Sequence, residues 1–559
     1  MQRLYTAAGE ALRGVPWQAY PRPQMERAEW LNLNGEWEIE AGGRKSAIRV
    51  PFCPESLLSG FQGKIVYGQP LLYRRRFLVP DTWQGKRVLL HFGAVSRHAE
   101  VSVNGHPAVT HENGYLPFSA DITDFLTAGE NQLTVTAIND LSPRYPWGKQ
   151  RKKRGGMWYT PVSGIWQTVW LEPVNEQHIS SLSIQTGENW AQITAQGVSE
   201  GTVKLDGQEY PLRDGQCKIV LSQPRLWSPE NPFLYRFTVE AGKDQVCSYF
   251  ALRTLTVEQV GGFKRLCLNG KPYFFHGLLD QGYWSDGLYT PADPEGYERD
   301  ILAMKALGFN TLRKHIKIEP QRFYYDCDRL GMIVFQDMVN CGPYRYLRDT
   351  ALPTLGFQKK RDTRLTRDRA TRRHFLAAME ETVSLLSPHP SICLWTIFNE
   401  GWGQFQADEC CRRLKAWDPS RFVDATSGWF SQKESDVESL HIYFQDLHVG
   451  NGNKAQLLSE IGGWCLKYPE HSFNTEKTYG YRKYDTREQF VSDLRALYLN
   501  QVLPLISQGL CGTIYTQVSD VEDETNGLMT FDRKIIKLAP QDLLDIAGLL
   551  SEAMGALPS

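Results

Sequence analysis

The sequence lacks any long apolar segment. No run of 18 apolar residues occurs, and the first residues, MQRLYTAAGEALRGVPW, contain no apolar stretch as long as that of a signal peptide. The first absence argues against a membrane-spanning helix, and the second argues against a secretory leader. We therefore expect a cytoplasmic protein that has no membrane partner.

An excess of charge of either sign is also missing. The chain has 62 Lys and Arg against 63 Asp and Glu, and its formal net charge is -1. Proteins that bind nucleic acid usually carry a strong basic patch, so this balance gives no reason to expect a nucleic-acid partner. Aromatic residues make up 12% of the chain, with 16 Trp. Most serve packing, but the same side chains stack on sugar rings in carbohydrate-binding clefts.

Metal and disulfide patterns are absent as well. The 11 cysteines are odd in number and form no C-x-x-C pair, and the 12 histidines form no H-E-x-x-H motif and no H-x-H at a strand end. Reduced, buried thiols fit this usage better than a disulfide framework or a zinc site. We predict no metal site and no cofactor, and the sequence leaves a homo-oligomer open.

Short strands separated by turns fill the first half of the chain. Residues 1–175 contain several strands and few helical patterns, and Asn104-Gly105 is a strong hairpin signal. We predict a jelly-roll-like β-sandwich there. The further short strands of residues 176–258 predict a smaller, immunoglobulin-like β-sandwich.

The pattern changes at residue 259, where strands begin to alternate with amphipathic helices. The eight strand candidates are PYFFHGLLD, NTLRKH, MIVFQDM, ICLWTIFN, FVDATSG, SLHIYF, AQLLSEIGG and GTIYTQVSD. Eight such strands over residues 259–559 predict a (β/α)8 TIM barrel. The competing doubly wound sheet would need a phosphate or dinucleotide signature, and neither G-x-G-x-x-G nor G-x-x-x-x-G-K-[ST] follows any of these strands.

Two of the eight strands end in glutamate. The fourth ends at Asn399-Glu400 and the seventh at Glu460, and the carboxyl ends of barrel strands meet at one mouth. Glu400 alone could be a solvated loop residue, but a carboxylate pair at one mouth is typical of glycosidic bond cleavage. Two other classes compete with this interpretation. A non-catalytic sugar-binding protein would lack one carboxylate, and a metal-dependent hydrolase would need ligands that the sequence does not supply.

Five motifs carry a resemblance to a known family. LNGKPYFFHGLLD, GFNTLRKH, CDRLGMIVFQDM, WTIFNEG and NGLMTFDRK, on two sandwiches and a barrel, resemble glycoside hydrolase family 2. Its members include β-galactosidases, β-glucuronidases and β-mannosidases. The resemblance implies that Glu400 is the general acid/base, that Asn399 binds the 2-hydroxyl of a carbohydrate substrate, and that Glu460 is the nucleophile of a retaining reaction.

Other polar and aromatic residues at strand ends are candidates for sugar binding. We expect five of them to hold hydroxyl groups, namely Asp280, Arg313, His441, Tyr443 and Tyr515. Trp402 and Trp464 follow the two glutamates and are candidates for the wall of the site, with packing as the equal alternative. The basic loop WGKQRKKRGGMWYTP is chiefly a solvated loop by its charge, but Lys152 and Trp158 also allow it to approach the cavity.

The loop after the eighth strand bears on the identity of the sugar. Glucuronidases of this family carry Asn-x-Lys before a glycine to bind the uronate, whereas here Glu524, Thr525 and Asn526 precede Gly527. Since a glutamate there would repel a uronate, a β-galactoside is the favoured substrate. The alternative is a β-glucuronide or β-galacturonide, held by cations elsewhere. These cations would be Lys314, Lys317, Arg345 or Arg348.

Overall fold

The computed structural model describes residues 1–358, 361–450 and 452–557. Its first part is built from strands whose side chains alternate between the core and solvent. In Gly35–Ala41, for example, Trp37 and Ile39 are buried while Glu36 and Glu38 are exposed. This period of two leaves one apolar face on each sheet, and two such faces pack against each other.

Antiparallel strands form the sheets of this first part. The six-stranded sheet contains, in spatial order, Arg44–Val50, Gly35–Ala41, Leu71–Leu78, Glu130–Ile138, His98–Val103 and His106–His111. The four-stranded sheet contains Leu31–Asn32, Val169–Val174, Arg87–Phe92 and Phe118–Asp121. Val95–Ser96 pairs with Gly164–Ile165. The core between the sheets includes Trp37, Tyr73 and Phe92.

A smaller pair of antiparallel sheets follows. One contains Ser181–Thr186, Trp190–Gln196 and Gln216–Val220, and the other contains Gln208–Leu212, Gly201–Leu205, Tyr235–Ala241 and Asp244–Phe250. A separate sheet of Leu255–Val260, Phe263–Leu268 and Lys271–Pro272 leads into the barrel. The unit boundaries at residues 175 and 258 remain predictions.

Eight parallel strands form the barrel, as the sequence predicts. In chain order they are Phe275–Asp280, Thr311–Lys314, Ile333–Asp337, Ile392–Asn399, Phe422–Ser427, Val437–Ile442, Ala455–Gly462 and Leu510–Thr516. Strand pairing runs from the fifth strand back to the first, and then through the eighth and seventh to the sixth. The fifth and sixth strands are joined by a side-chain hydrogen bond, which Ser439 Oγ donates to Asp424 Oδ2 at 2.7 Å. The barrel is therefore nearly closed.

Helices cover the outside of the barrel and continue to the end of the described chain. The α-helices of the molecule are Ala7–Ala11, Glu295–Ala306, Gln321–Leu330, Leu352–Thr354, Arg369–Leu386, Ala407–Trp417, Arg487–Ala496, Leu503–Ile506 and Leu544–Gly555. Short 3-10 helices are Asp81–Trp83, Thr123–Phe125, Asp362–Arg364, Pro469–His471 and Pro540–Asp542, and π-helical turns are Leu347–Ala351 and Leu497–Val502. Among the described residues, none of the helices combines the length and apolar character that a bilayer crossing requires.

Apolar side chains fill the lower barrel and form a floor for its upper end. Phe275 lies 5.3 Å from Phe335 and 6.2 Å from Phe422, measured between ring centroids. The smaller sandwich is fixed to the barrel by Tyr249, whose hydroxyl donates to Asp328 Oδ2 at 2.7 Å. The first sandwich is fixed by Gln150, whose amide donates to the Tyr289 hydroxyl at 3.1 Å. Both sandwiches thus pack directly against the barrel.

All cysteines are free thiols, and every one except Cys247 is buried. Burial raises the pKa of several of these thiols, including Cys53 and Cys327. Since the thiolate is the reactive form, these side chains act as small apolar residues in the core.

Candidate active site

A sharp turn presents Glu400 at the end of the fourth barrel strand. Glu400 has φ 53° and Gly401 has φ 68°, so both lie in the left-handed region. A Cβ at Gly401 would lie 2.2 Å from the Phe430 ring, and the Glu400 amide donates to the Ser427 carbonyl at 2.9 Å. A non-glycine residue in this conformation is uncommon and is often found at functional sites. The turn places the Glu400 carboxylate over the barrel mouth.

Glu400 and Glu460 meet around His441. His441 Nδ1 lies 3.0 Å from Glu400 Oε1 and 3.6 Å from Glu460 Oε2. One oxygen of each carboxylate and the His441 nitrogen all lie within 4.8 Å of one another. Retaining glycosidases place their two carboxyl groups about 5–5.5 Å apart, whereas inverting enzymes need about 6.5–9.5 Å. The geometry therefore fits a retaining reaction.

Glu460 is held as a carboxylate by a cation and a hydroxyl. Arg313 Nη1 donates to Glu460 Oε1 at 3.2 Å, and the Tyr443 hydroxyl donates to Oε2 at 2.5 Å. Burial by itself would raise the pKa of Glu460, but the nearby charges of His441 and Arg313 lower that pKa well below its ordinary value. Glu460 is therefore ionised at neutral pH, as a nucleophile must be.

Arg313 organises the floor of the site. Its Nε and Nη2 donate to the two oxygens of Asp337, each at 3.0 Å, and Nη2 also donates to Asn399 Oδ1 at 2.8 Å. Its Nη1 donates to Glu460 and, at 3.0 Å, to the Ser459 carbonyl. These five bonds match the five N–H donors of a guanidinium group. Arg313 is thus committed to positioning protein groups rather than to holding a substrate hydroxyl.

Asn399 is oriented by this network. Because its Oδ1 accepts from Arg313, the amide is fixed with its NH2 group free to donate. A second chain of hydrogen bonds supports His441, since the Ser427 hydroxyl lies 3.0 Å from His441 Nε2 and donates to Ser459 Oγ at 2.9 Å. The carboxylates are therefore surrounded by groups that are themselves held in place.

Aromatic side chains from three parts of the chain pack together around Trp402, two residues after Glu400. The Trp402 ring centroid lies 5.1 Å from that of Trp147, 5.3 Å from that of Trp158 and 5.9 Å from that of Tyr344. The basic loop of the first sandwich thus reaches the barrel mouth through Trp158, although Lys152 itself is exposed. On the other side, Tyr481 stacks on Tyr443 with ring centroids 4.1 Å apart.

Three of the predicted site residues lie away from the carboxylate pair. Asp280 accepts from Lys314 Nζ at 2.6 Å on the helix side of the barrel. The Trp464 ring packs on those of Tyr484 and Tyr515, with centroids 5.8 and 6.4 Å apart. The structure therefore brings together Glu400, Glu460, Asn399, Arg313, His441 and Tyr443, and it places Asp280, Tyr515 and Trp464 in the surrounding layer. Trp402 packs against other rings, which agrees with the packing alternative.

The cations that the sequence offered for a uronate are mostly engaged elsewhere. Lys314 donates to Asp280 and to Glu319 Oε1, and Lys317 lies 2.8 Å from Glu319 Oε2. Lys317 also donates to two backbone carbonyls. Arg348 is paired with its neighbour Asp349, and Arg345 is exposed. The first two lysines therefore belong to a closed ionic cluster rather than to the cavity.

Sequence reasoning missed three members of the site. Asp337, which fixes Arg313, ends the third strand and was available to the same strand-end argument as Glu400. Tyr481 lies on a loop whose local sequence does not indicate the site. Lys149 lies in the basic loop WGKQRKKRGGMWYTP, of which Lys152 and Trp158, rather than Lys149, were expected to approach the cavity. The charge of Lys149 contributes to lowering the pKa of Glu460.

By distance alone, Glu400, His441 and Glu460 could also hold a metal ion. The donor set does not favour this use, because Arg313 and Tyr443 already donate to both oxygens of Glu460. A cation beside Glu460 Oε2 would share that oxygen with the Tyr443 hydroxyl, and it would be repelled by the Arg313 guanidinium that binds Oε1. These residues are better suited to a reaction in which two carboxyl groups act on one substrate.

Comparison with family models shows which protein family the chain belongs to. Family models match three consecutive parts of the chain: "Glycosyl hydrolases family 2, sugar binding domain" matches residues 64–172, "Glycosyl hydrolases family 2" matches 174–253, and "Glycosyl hydrolases family 2, TIM barrel domain" matches 259–464. This chain belongs to glycosyl hydrolase family 2. The predicted resemblance and the predicted fold class are confirmed.

Curated relatives are distant. A putative β-glucuronidase of Formosa agariphila is 24% identical over 452 residues, which cover 76% of this chain and 39% of that longer protein. A β-galactosidase of Aeromonas hydrophila is 28% identical over 403 residues, covering 65% of this chain and 36% of that protein. This chain therefore spans well under half the length of both relatives.

Solved structures share the fold over nearly the whole chain. A β-D-glucuronidase of Dictyoglomus thermophilum aligns with a TM-score of 0.73 and 19% identity, covering 96% of this chain and 99% of that one. A family 2 β-galacturonidase of Eisenbergiella tayi, solved with bound galacturonate, aligns with a TM-score of 0.69 and 20% identity, covering 95% and 99% of the two chains. These likenesses extend the shared architecture beyond the ranges of the family models.

Proposed function

We propose that this protein is a retaining exo-β-glycosidase that hydrolyses β-uronides, with Glu460 as the nucleophile and Glu400 as the general acid/base. The observation that carries the catalytic part is the placement of the two carboxylates within 4.8 Å of each other, on either side of His441. Their surroundings support these two roles. Glu460 is bound by Arg313 and Tyr443, whereas the Glu400 side chain is more exposed and contacts His441.

The reaction runs in two displacements. In the first, a carboxylate oxygen of Glu460 attacks the anomeric carbon while Glu400 gives its proton to the glycosidic oxygen, so that the alcohol leaves and a glycosyl ester forms. In the second, Glu400 takes a proton from water, the water oxygen attacks the same carbon, and the ester bond to Glu460 breaks. Two inversions at one carbon give net retention.

Fixed protein groups stabilise these steps. Arg313 and Tyr443 hold the Glu460 carboxylate before attack and receive it again after the ester breaks. Asn399, whose oxygen is bound by Arg313, has its NH2 group available for the 2-hydroxyl of the sugar. Because these donors are already in place in the folded protein, little reorganisation accompanies the change in charge.

The choice of a uronide corrects the favoured β-galactoside of the sequence analysis. The relatives are named mainly as β-glucuronidases and a β-galacturonidase, with β-galactosidases fewer among them. The charge of Glu524 is the feature that disfavours a uronate, because a carboxylate would repel it. In the folded chain this carboxylate accepts from Tyr159 and Gln517, each at 2.7 Å, and burial raises its pKa. Glu524 thus holds its charge less strongly than an exposed glutamate does.

A panel of p-nitrophenyl glycosides tests this function. We expect kcat/KM for the β-glucuronide or the β-galacturonide to exceed that for the β-glucoside, β-galactoside and β-mannoside by at least about tenfold, since a bond to a charged group contributes roughly 1.5–3 kcal/mol. Proton NMR of the first product should show the β-anomer before mutarotation. Release of the α-anomer would refute the retaining mechanism, and a faster galactoside would restore the original expectation for the sugar.

A further inference from the structure

A short segment of the first sandwich is clamped onto the barrel mouth. The Trp147 amide donates to the Asn340 carbonyl and its indole Nε1 donates to the Gly342 carbonyl, each at 3.2 Å. Gln150 donates to the hydroxyls of Tyr115 and Tyr289 at 2.9 and 3.1 Å. The backbone of residues 147–150 is thus held by the loops that follow the first and third barrel strands.

The residue between these anchors is pressed closely against the barrel. A Cβ at Gly148 would lie 3.2 Å from the Tyr289 hydroxyl and 3.4 Å from the Ile316 carbonyl of the barrel, and the φ of 65° is one that glycine adopts without strain. The next carbonyl, that of Lys149, accepts from the Tyr159 amide at 2.9 Å. The position of the Lys149 backbone is therefore fixed from both sides.

Lys149 differs from the other lysines near the barrel mouth. Lys314, Lys317 and Lys537 are buried and each is bonded to at least one carboxylate. Lys149 is half-buried, and no side chain or carbonyl in residues 1–358, 361–450 and 452–557 accepts a hydrogen bond or forms an ion pair with its ammonium group. Its ammonium group is not among the buried unpartnered atoms, so it keeps access to solvent and is available to an anionic ligand.

Two acidic groups lie within the electrostatic reach of Lys149. Its charge acts on Glu460 and on Glu524, lowering the pKa of each against the effect of burial, and it also lowers the pKa of His315. Neither carboxylate pairs with it. Glu460 is bound by Arg313 and Tyr443, and Glu524 by Tyr159 and Gln517. Geometry connects Lys149 to the same region, because the Tyr159 amide donates to the Lys149 carbonyl at 2.9 Å while the Tyr159 hydroxyl donates to Glu524 Oε2 at 2.7 Å. The segment that carries this cation therefore packs beside the loop that follows the eighth strand.

We infer that Lys149 binds the carboxylate of the substrate's sugar ring, so that a residue of the first sandwich selects uronides for the barrel. This inference rests on the proposed function, because it assigns a partner to the charge that distinguishes a uronide from a neutral sugar. The uronate supplies the anion that the protein does not, and a lysine fixed by its backbone loses little further freedom on binding.

Charge-selective kinetics test the assignment. Lys149→Met should lower kcat/KM for p-nitrophenyl β-glucuronide or β-galacturonide at least tenfold, mainly through KM, while kcat/KM for the matching neutral glycoside changes less than about threefold. Lys149→Arg should recover much of the uronide activity, because it restores the cation. Lys153→Met is the matched control, since Lys153 is an exposed lysine of the same loop, and both substrates should be unaffected.

Product binding gives a second measurement that does not depend on turnover. Free glucuronate or galacturonate should inhibit the wild type, and Lys149→Met should raise the inhibition constant at least tenfold with no change in Tm beyond a few degrees. A parallel loss of uronide and neutral activity would overturn the inference, since Lys149 would then act only by tuning Glu460. Unchanged uronide kinetics would also overturn it.

The outcomes separate this inference from the proposed function. If the wild type prefers uronides and Lys149→Met keeps that preference, the function stands and only the role of Lys149 fails. If the wild type prefers a neutral sugar, the proposed substrate is wrong and the assignment of Lys149 falls with it. If neither substrate is turned over by folded wild-type protein, the glycosidase proposal itself fails.

Discussion

Arg313 and Lys314 are neighbours in the second barrel strand, but they belong to two different ionic clusters. Arg313 faces the barrel interior, where it binds Asp337, Asn399 and Glu460. Lys314 faces the helices, where it binds Asp280 and Glu319. The side chains of consecutive strand residues point to opposite faces, so one dipeptide supplies a cation to each cluster.

The two clusters differ in whether all oxygens of their carboxylates are bound by groups of the protein. In the outer cluster the oxygens of Glu319 are taken up by Lys314, Lys317 and Tyr297. In the inner cluster the bonds end at Glu460, whose neighbour Glu400 is partly exposed. A closed cluster contributes to the fold, whereas a cluster that ends beside a partly exposed carboxylate is suited to chemistry.

The largest effect is expected when Glu460, the last carboxylate of the inner cluster, is removed. Glu460→Ala should lower kcat by roughly 10⁴-fold or more, because it removes the proposed nucleophile while leaving the fold intact. Azide fills the space left by the side chain and attacks the anomeric carbon directly, so it should restore part of the turnover and give the α-glycosyl azide. Turnover that stays at the wild-type level without azide would exclude Glu460 as the nucleophile.

The second test addresses Glu400. Glu400→Gln should lower kcat about 10²–10⁴-fold for substrates with a poor leaving group, since these need general acid catalysis. The first step with a dinitrophenyl glycoside should be affected far less, because that leaving group departs without a proton. Burst kinetics would then show accumulation of the glycosyl ester. An equal loss for both substrates in a folded variant would contradict the acid role.

The sequence predicted the parts of the molecule that depend on local pattern. Eight buried strands and two strand-end glutamates follow from periodicity and from the geometry of a barrel. The same argument also selected Asp280 and Tyr515, which face the outer layer. A strand-end position alone does not determine which face a side chain takes, since the register of each strand and the bulges beside Glu460 decide it.

The features that the sequence did not predict depend on tertiary contacts. Lys149 lies more than 300 residues from Glu460 in the sequence, and its loop reads as a solvated basic segment. Its place at the site depends on the packing of Trp147 and Gln150 on the barrel, which no local pattern encodes. The engagement of Lys314 and Lys317 by Glu319 is likewise visible only in the folded chain.

The last test changes one cation in each cluster, Arg313 in the inner one and Lys314 in the outer one. We expect the effects on kcat to be the smallest of the series. Arg313→Lys keeps the charge but has fewer N–H donors, so Glu460, Asp337 and Asn399 cannot all keep their bonds, and kcat should fall at least roughly tenfold since each bond to a charged group is worth about 1.5–3 kcal/mol. Lys314→Met leaves Asp280 and one oxygen of Glu319 without their cation. It should reduce the free energy of unfolding by about 3–5 kcal/mol, because it breaks a buried ion pair.

The two measurements are denaturant unfolding and kcat per folded molecule. We expect Lys314→Met to change kcat less than about threefold in the folded fraction, because its cluster does not touch the carboxylate pair. Arg313→Lys should show the reverse pattern, with a larger loss of kcat than its change in stability explains. If Lys314→Met reduced kcat as strongly as Arg313→Lys does, the two faces of the strand would be coupled, and the outer cluster would have to be counted as part of the positioning of Glu460.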